Sequence, residues 1–199
     1  MTSIEEKLSQ LRQFETSRLL LRPVTLDDAQ AMFQYASDEE NVRFAFKRNE
    51  TIDDTKAMIA KIYLAKPLGL YGIVEKESDT FIGTLDLQNL NVDLGRAEIG
   101  YCLNKRFWNQ GYATEATKAF IKLYFEELKM NLLIAQHDTA NPASGRVMEK
   151  AGMLFSHNMP YDKIDDKDLS RLITSATYVI TKEDYFNALE LTKKAETSR

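Results

Sequence analysis

Cysteine is nearly absent: Cys102 stands alone among 199 residues. That excludes an intrachain disulfide and a multi-cysteine zinc site. Histidine is almost as scarce, with only His137 and His157, so a structural zinc site is disfavoured as well. Positive charge is not in excess: 26 Lys and Arg face 30 Asp and Glu, for a net charge of -4. Generic nucleic-acid binding needs a basic excess or patch, and is not expected. No apolar run approaches the ~20 residues of a membrane span. The opening Met1–Lys7 carries Glu5 and Glu6 where a secretory leader would have a basic region and then an apolar run. A cytoplasmic location is the expectation. With four prolines and eight glycines, the chain holds no Pro- or Gly-rich linker, and it shows no internal repeat. It reads as one domain. Residues 1–13 form a helical extension, about 14–185 the core, and 186–199 a closing helix and tail.

What is present is a clear succession of elements. Ser3 and Glu6 have capping-box spacing, and Ile4, Leu8 and Leu11 repeat at helical distance. Arg18–Arg22 before Pro23 reads as a strand. Thr25 with Asp28 opens a helix bearing Ala29, Met32, Phe33 and Ala36 on one face. Thr51 with Asp54 opens another, with Met58, Ile59, Ile62 and Tyr63 apolar, ending before Pro67. Strands follow at Leu70–Glu75, Thr80–Asn89 and Arg96–Leu103. Their polar turns are too short for crossovers, so they form an antiparallel meander. Thr114–Leu128 is helical, Leu132–Gln136 a buried strand, and Asn141-Pro142 the start of a helix that Gly152 closes. Met153–Met159 and Leu172–Thr181 are the last strands, and Thr181 with Asp184 caps a final helix. The expected fold is α/β, with a mixed, mostly antiparallel sheet of about seven strands and helices on both faces.

The chemistry lies between Arg96 and Ala116. A strand ends near Leu103, a loop follows, and a helix begins near Thr114. Gly111 and Ala113 are small and sit at the helix mouth, where unpaired N–H groups and the positive end of the helix dipole favour a phosphate or pyrophosphate. Lys105 and Arg106 add a local positive field in this reading. The same turn also serves elsewhere as a plain connector. No Gly-Lys-Ser/Thr loop and no G-x-G-x-x-G fingerprint is present.

The stretch Trp108-Asn-Gln-Gly-Tyr-Ala-Thr-Glu-Ala116 resembles the acetyl-CoA pyrophosphate loop of the GNAT superfamily of N-acetyltransferases, in particular the branch containing the ribosomal-protein N-terminal (alanine/serine) acetyltransferases. Glu15–Pro23 resembles that branch's opening strand and Ala97-Glu-Ile-Gly-Tyr101 its fourth. Asn141–Gly152 resembles its Asn-x-x-Ser-x-x-x-x-x-Lys-x-Gly helix, and Thr177–Tyr185 its closing strand and helix. Trp108 stands where the superfamily often has Arg or Gln, and Asn109 where glycine is frequent. The segment Ser156–Arg171 resembles nothing in the family.

The resemblance implies direct transfer of acetyl from acetyl-CoA to an amine, with no metal. It implies that Gln110, Gly111, Tyr112, Ala113 and Thr114 hold the pyrophosphate through their backbone amides. The strand at Leu103 would splay from Leu132–Gln136 to admit the pantetheine, and Asn141 would bond the cofactor arm, besides or instead of capping its helix. Glu98 is the candidate general base, since attack needs a neutral nitrogen; the alternative is a solvent-facing side chain or an ion pair with Arg96. Ser144 would protonate the leaving thiolate, unless it only bonds its own helix. Cys102 as an acyl carrier is set against a small core residue. Phe44, Phe46, Tyr63 and Tyr71 are expected in the core or along the acceptor cleft. The expected partners are acetyl-CoA and an amine, such as a ribosomal protein's α-amine, without direct nucleic-acid or membrane contact, and a homodimer stays open. Rivals are a small-molecule acetyltransferase acting on an aminoglycoside or polyamine, and a non-catalytic acyl-CoA sensor. An α-amine of pKa about 8 costs roughly 1.4 kcal/mol to deprotonate at pH 7, against about 4.6 for lysine, which favours an N-terminus.

Overall fold

The computed structural model describes residues 3–197. Helix α1 (Ile4–Gln10) begins where Ser3 accepts from the Glu6 N–H. It docks on its own domain: Leu8 is buried, the Lys7 ammonium bonds Glu127 O, and the Tyr71 hydroxyl bonds Leu11 O. Strands β1 (Phe14–Glu15) and β2 (Leu19–Arg22) follow. The Thr25–Asp28 box first winds a 3-10 turn, Leu26–Asp28, which continues as α2 (Ala29–Ala36). A short α3 (Glu39–Val42) was not expected; Asp38 caps it by accepting from the Asn41 N–H. The next helix, α4 (Ile52–Met58), opens with the Thr51–Asp54 box and widens into a π-helical turn, Ile59–Leu64.

The meander is β3 (Leu70–Glu75), β4 (Thr80–Asn91) and β5 (Arg96–Leu103). After the loop come α5 (Tyr112–Glu126), β6 (Leu132–Asp138), α6 (Pro142–Lys150), β7 (Leu154–Ile164), β8 (Leu172–Thr181) and α7 (Lys182–Thr197). The sheet has eight strands in the order β1-β2-β3-β4-β5-β6-β8-β7. The strand beyond the expected seven is β1, two residues that pair with Leu20 and Leu21 at the edge. Every pairing is antiparallel except β5 with β6.

Alternation along the strands gives the sheet two apolar faces. One carries Leu21, Ile73, Leu85, Ile99 and Leu133 against Phe120, Tyr124 and Met148 of α5 and α6. The other carries Val74 and Phe81 against Met32, Tyr35 and Ile59 of α2 and the π turn. Gly145 lets α6 lie directly on β6, since a Cβ there would stand 2.8 Å from His137 Nε2.

One strand end changes the most. β7 runs to Ile164 rather than ending at Met159. The segment beyond it, residues 165–171, is a tied turn. Arg171 pairs with Asp165 and Asp138, and the Lys167 ammonium bonds Val42 O and Arg43 O at 2.8 and 2.7 Å. It straps the β7–β8 hairpin to the end of α3. Among the described residues no helix is long and apolar enough to cross a membrane.

Candidate active site

Parallel pairing of β5 with β6 stops early. It joins Arg96–Leu132, Ala97–Leu133 and Glu98–Ile134 and goes no further, while β6 stays paired with β8 as far as Asp138. Beyond Glu98 and Ile134 the two strands diverge, and a cleft of about 910 Å³ opens between them and across the sheet. Its walls come from β4, β5, β6, α6 and the start of α5, with Phe44, Phe46, Met58 and Ile62 on the far side.

At one end stands the loop before α5. Asn109 and Gly111 are left-handed, with φ 58° and 84°. The first bond of the helical ladder runs from the Glu115 N–H to Gly111 O. The N–H groups from Gly111 to Thr114 therefore precede the ladder, as the open donors of the helix start. Gly111, Tyr112, Ala113 and Thr114 all line the cleft; Gln110 does not, and works as a brace instead. Its carbonyl accepts from Arg18 at 3.0 Å and its side-chain amide donates to Arg106 O.

The brace reaches further. Arg18 pairs with Glu115 at 2.7 Å and lies 4.3 Å over the Tyr112 ring. Glu115 also accepts from Thr16 and Ser17 hydroxyls and from the Arg18 N–H. Burial pushes its pKa up, but these bonds outweigh burial and hold the carboxyl below its ordinary value. Trp108, the residue that departs from the family pattern, pins the loop by donating its indole N–H to Leu103 O at 2.9 Å. Leu103 O also accepts from Asn41. Leu103 thus offers its side chain as cleft wall, with its carbonyl already engaged.

The positive field comes from a source the sequence reading missed. Lys105 is bound to Asp38 at 2.6 Å and Glu40 at 2.9 Å, so its charge is spent on α3 rather than on an anion. Arg146 and Lys150, one turn apart on α6, line the cleft instead. Their i,i+4 spacing was the only signal available, and it reads equally as a solvated helix face.

Asn141 and Ser144 meet at the start of α6. Asn141 occupies the N-cap position but makes no side-chain cap bond. Its amide donates to Ser144 Oγ at 3.2 Å. The Tyr101 hydroxyl crosses the split to Ser144 O at 3.3 Å, and burial pushes its pKa up to about 12.

On the opposite face of β4 and β5 the register sets Thr84 opposite Cys102, Asp86 opposite Gly100, and Gln88 opposite Glu98. Glu98 is half-buried along the cleft and makes no ion pair with Arg96 among the described residues. Cys102 also lines the cleft, but burial, with Asp86 adding to it, pushes its thiol up to about 12. A neutral thiol is a poor nucleophile, so the acyl-carrier role has no support. Tyr71 belongs to the core, whereas Phe44, Phe46 and Tyr63 face the cleft. Asp86 was not singled out from the sequence. Its Oδ2 accepts from the Tyr63 hydroxyl at 3.4 Å, and its shielded Oδ1 receives no hydrogen bond. Among the described residues no group of three or more His, Cys, Asp or Glu could hold a metal ion.

The sequence profile of the acetyltransferase (GNAT) domain matches residues 18–154. An uncharacterized N-acetyltransferase of Bacillus licheniformis is 30% identical over 179 residues, spanning 85% of this chain and 96% of that protein. The uncharacterized N-acetyltransferase YoaA of Bacillus subtilis is 32% identical, spanning 74% and 91%. The crystal structure of a GNAT-family acetyltransferase from Bacillus anthracis superposes with a TM-score of 0.75 at 26% identity, covering 86% of this chain and 99% of that one.

Proposed function

The chain belongs to the GNAT family and is an acetyl-CoA-dependent acetyltransferase, and we propose that it acetylates a primary α-amine, such as the N-terminus of a ribosomal protein. One observation carries the reading: the split between β5 and β6 and the residues Gly111 to Thr114 border one and the same cleft. A diphosphate fits their N–H donors and an extended arm fits the split. The thioester would then lie where the strands part, beside Glu98 to Gly100. Arg146 and Lys150 can balance the phosphate charge.

The cleft residues divide the work. Gly111, Tyr112, Ala113 and Thr114 hold the diphosphate, Gln110 keeps their loop in shape, and the Leu103 side chain walls the arm. Asn141 bonds the arm and orients Ser144, which with Tyr101 stands near the departing sulfur. A thiol of pKa about 8.5 leaves readily, so little help is needed there. Glu98, half-buried along the cleft, draws the cationic acceptor inward. An α-amine suits such modest machinery better than lysine does.

Relatives point both ways on the acceptor. A Bacillus subtilis protein provisionally named a ribosomal N-acetyltransferase is 36% identical over 72 residues, while an Aspergillus fumigatus protein named FsC-acetyl coenzyme A-N(2)-transacetylase is 31% identical over 90. Cell extract treated with the enzyme and isotope-labelled acetyl-CoA is expected to show label on protein N-termini by mass spectrometry. Label confined to small molecules would overturn the acceptor; cofactor binding without any label would favour a sensor.

Asn141→Ala is expected to weaken acetyl-CoA about tenfold in calorimetry, the loss of one polar contact worth roughly 1.5 kcal/mol. Unchanged affinity would leave Asn141 only its place at the helix start.

A further inference from the structure

We propose that Asp86 is the group that receives the acceptor's ammonium and takes its proton, so that the pocket admits a primary amine that arrives as a cation. The proposal rests on the acetyl-transfer reading of the same cleft and adds its base. Three observations carry it. Asp86 lies opposite Gly100, two residues past the last β5–β6 pair, which is where the thioester would come to rest. Asp86 and Gly100 both line the cleft, and the Gln88 amide stands beside Gly100, where a Cβ would lie 3.2 Å from its Nε2. Asp86 Oδ1 is shielded and receives no hydrogen bond. Buried carboxylate oxygens are costly to leave unmatched, and a cationic guest would satisfy this one.

The groups packed against Asp86 itself carry no charge. Tyr35 of α2 and Tyr63 of the π turn face Asp86, as does Cys102 of β5; burial pushes all three up, so they stay neutral at pH 7. Thr84 and Gln88 flank it on its own strand, and Glu98 stands two residues before Gly100, at the last β5–β6 pair. Glu40, Arg43 and Lys163 are cleft-wall residues too. Phe46 adds an aromatic ring, whose face attracts ammonium groups, while the Phe44 ring already carries the Arg43 guanidinium 5.1 Å from its centroid. Burial raises the Asp86 pKa to about 7, the Tyr63 bond opposing it. A carboxyl so placed can accept a proton near neutrality.

The step balances. One N–H bond of R–NH₃⁺ breaks and its proton passes to Asp86 Oδ1. The freed lone pair forms the C–N bond at the thioester carbonyl carbon, and the carbonyl π pair moves to oxygen. On collapse the C–S bond breaks and its electron pair leaves with sulfur. A second N–H proton goes to that thiolate, giving amide and thiol, and Asp86 returns its proton to water.

The test compares Asp86→Asn with Glu98→Gln, using a short peptide with a free N-terminus and spermidine as acceptors. In the parent enzyme kcat/KM should rise with pH through about 7, as Asp86 ionises. Asp86→Asn should lose that limb and at least about a hundredfold in kcat, the share a general base contributes, with acetyl-CoA affinity unchanged. Glu98→Gln, which removes only the charge that draws the acceptor, should raise KM for the acceptor and keep the limb. Asp86 binds a proton in the folded chain where the unfolded chain has lost it, between about pH 4 and 7, so its ionisation costs stability as pH rises. Asp86→Asn should therefore melt higher than the parent above pH 7, which a merely structural carboxylate would not produce. A retained limb, or a rate within tenfold of the parent, overturns the proposal. If the parent acetylates neither amine, the acceptor reading fails separately. The ¹³C signal of the Asp86 carboxyl then decides: titration near 7 that shifts with added ethylammonium supports the proposal, and titration near 4 refutes it.

Discussion

Gly111→Val is expected to leave a folded protein that binds acetyl-CoA at least about a hundredfold more weakly. Gly111 is left-handed at φ 84°, a region that a β-branched residue occupies only as an outlier. Valine would relax the turn toward negative φ, and the N–H groups of Gly111 to Thr114 would no longer share a target. Each charge-assisted bond lost is worth about 1.5–3 kcal/mol, so losing two gives a factor of a hundred or more. The fold should survive, because α5 is held by Phe120, Tyr124 and Phe125 in the core and by the Arg18–Glu115 clasp. Calorimetric titration gives the affinity and a thermal melt the fold. Affinity within tenfold of the parent would mean that the loop does not hold the diphosphate.

Asp28→Ala should cost about 3 kcal/mol of stability, the lower end for breaking a buried ion pair. Asp28 is 5% exposed and accepts from both terminal nitrogens of Arg22, at 2.9 and 2.7 Å, and from the Thr25 N–H at 2.8 Å. One carboxylate thus joins β2 to the start of α2. Alanine would strand the partly buried guanidinium and undo the cap together. For a chain of this size the melting temperature should fall by roughly 6–12 °C. Urea unfolding would measure the loss. Arg22→Met added to Asp28→Ala should recover part of it, since an apolar pair of similar volume removes the orphaned charge. A loss under 1 kcal/mol would show that water solvates Arg22 adequately.

The loop at Gly111, the meander and the Asn141-Pro142 helix start were legible because each is a local signal: a glycine, short turns, a cap with its proline. The expected strands and helices all form, most of them within a few residues of the expected ends. Asp86 was invisible because nothing near it in sequence marks it. Its character comes from Gly100 opposite, Tyr63 on a π-helical turn and Tyr35 on another helix. Lys105 misled for the same reason, since the α3 carboxylates that claim it sit over sixty residues earlier. Lys167 and Arg171 lie in the segment Ser156–Arg171, which carried no recognisable motif, and only the tertiary structure gives them Val42, Arg43, Asp138 and Asp165 as partners.

The early end of β5–β6 pairing also bears on what the cosubstrate meets. Past Glu98 and Ile134, the inward edges of two strands are held apart by the rest of the sheet, with β4 on one side and β8 on the other. An incoming amide-bearing chain need not pry a ladder open before it can bridge them. The slot is set when the polypeptide first folds, so the entropy of shaping it falls on folding rather than on association, and the docked arm completes a sheet already waiting for one more member.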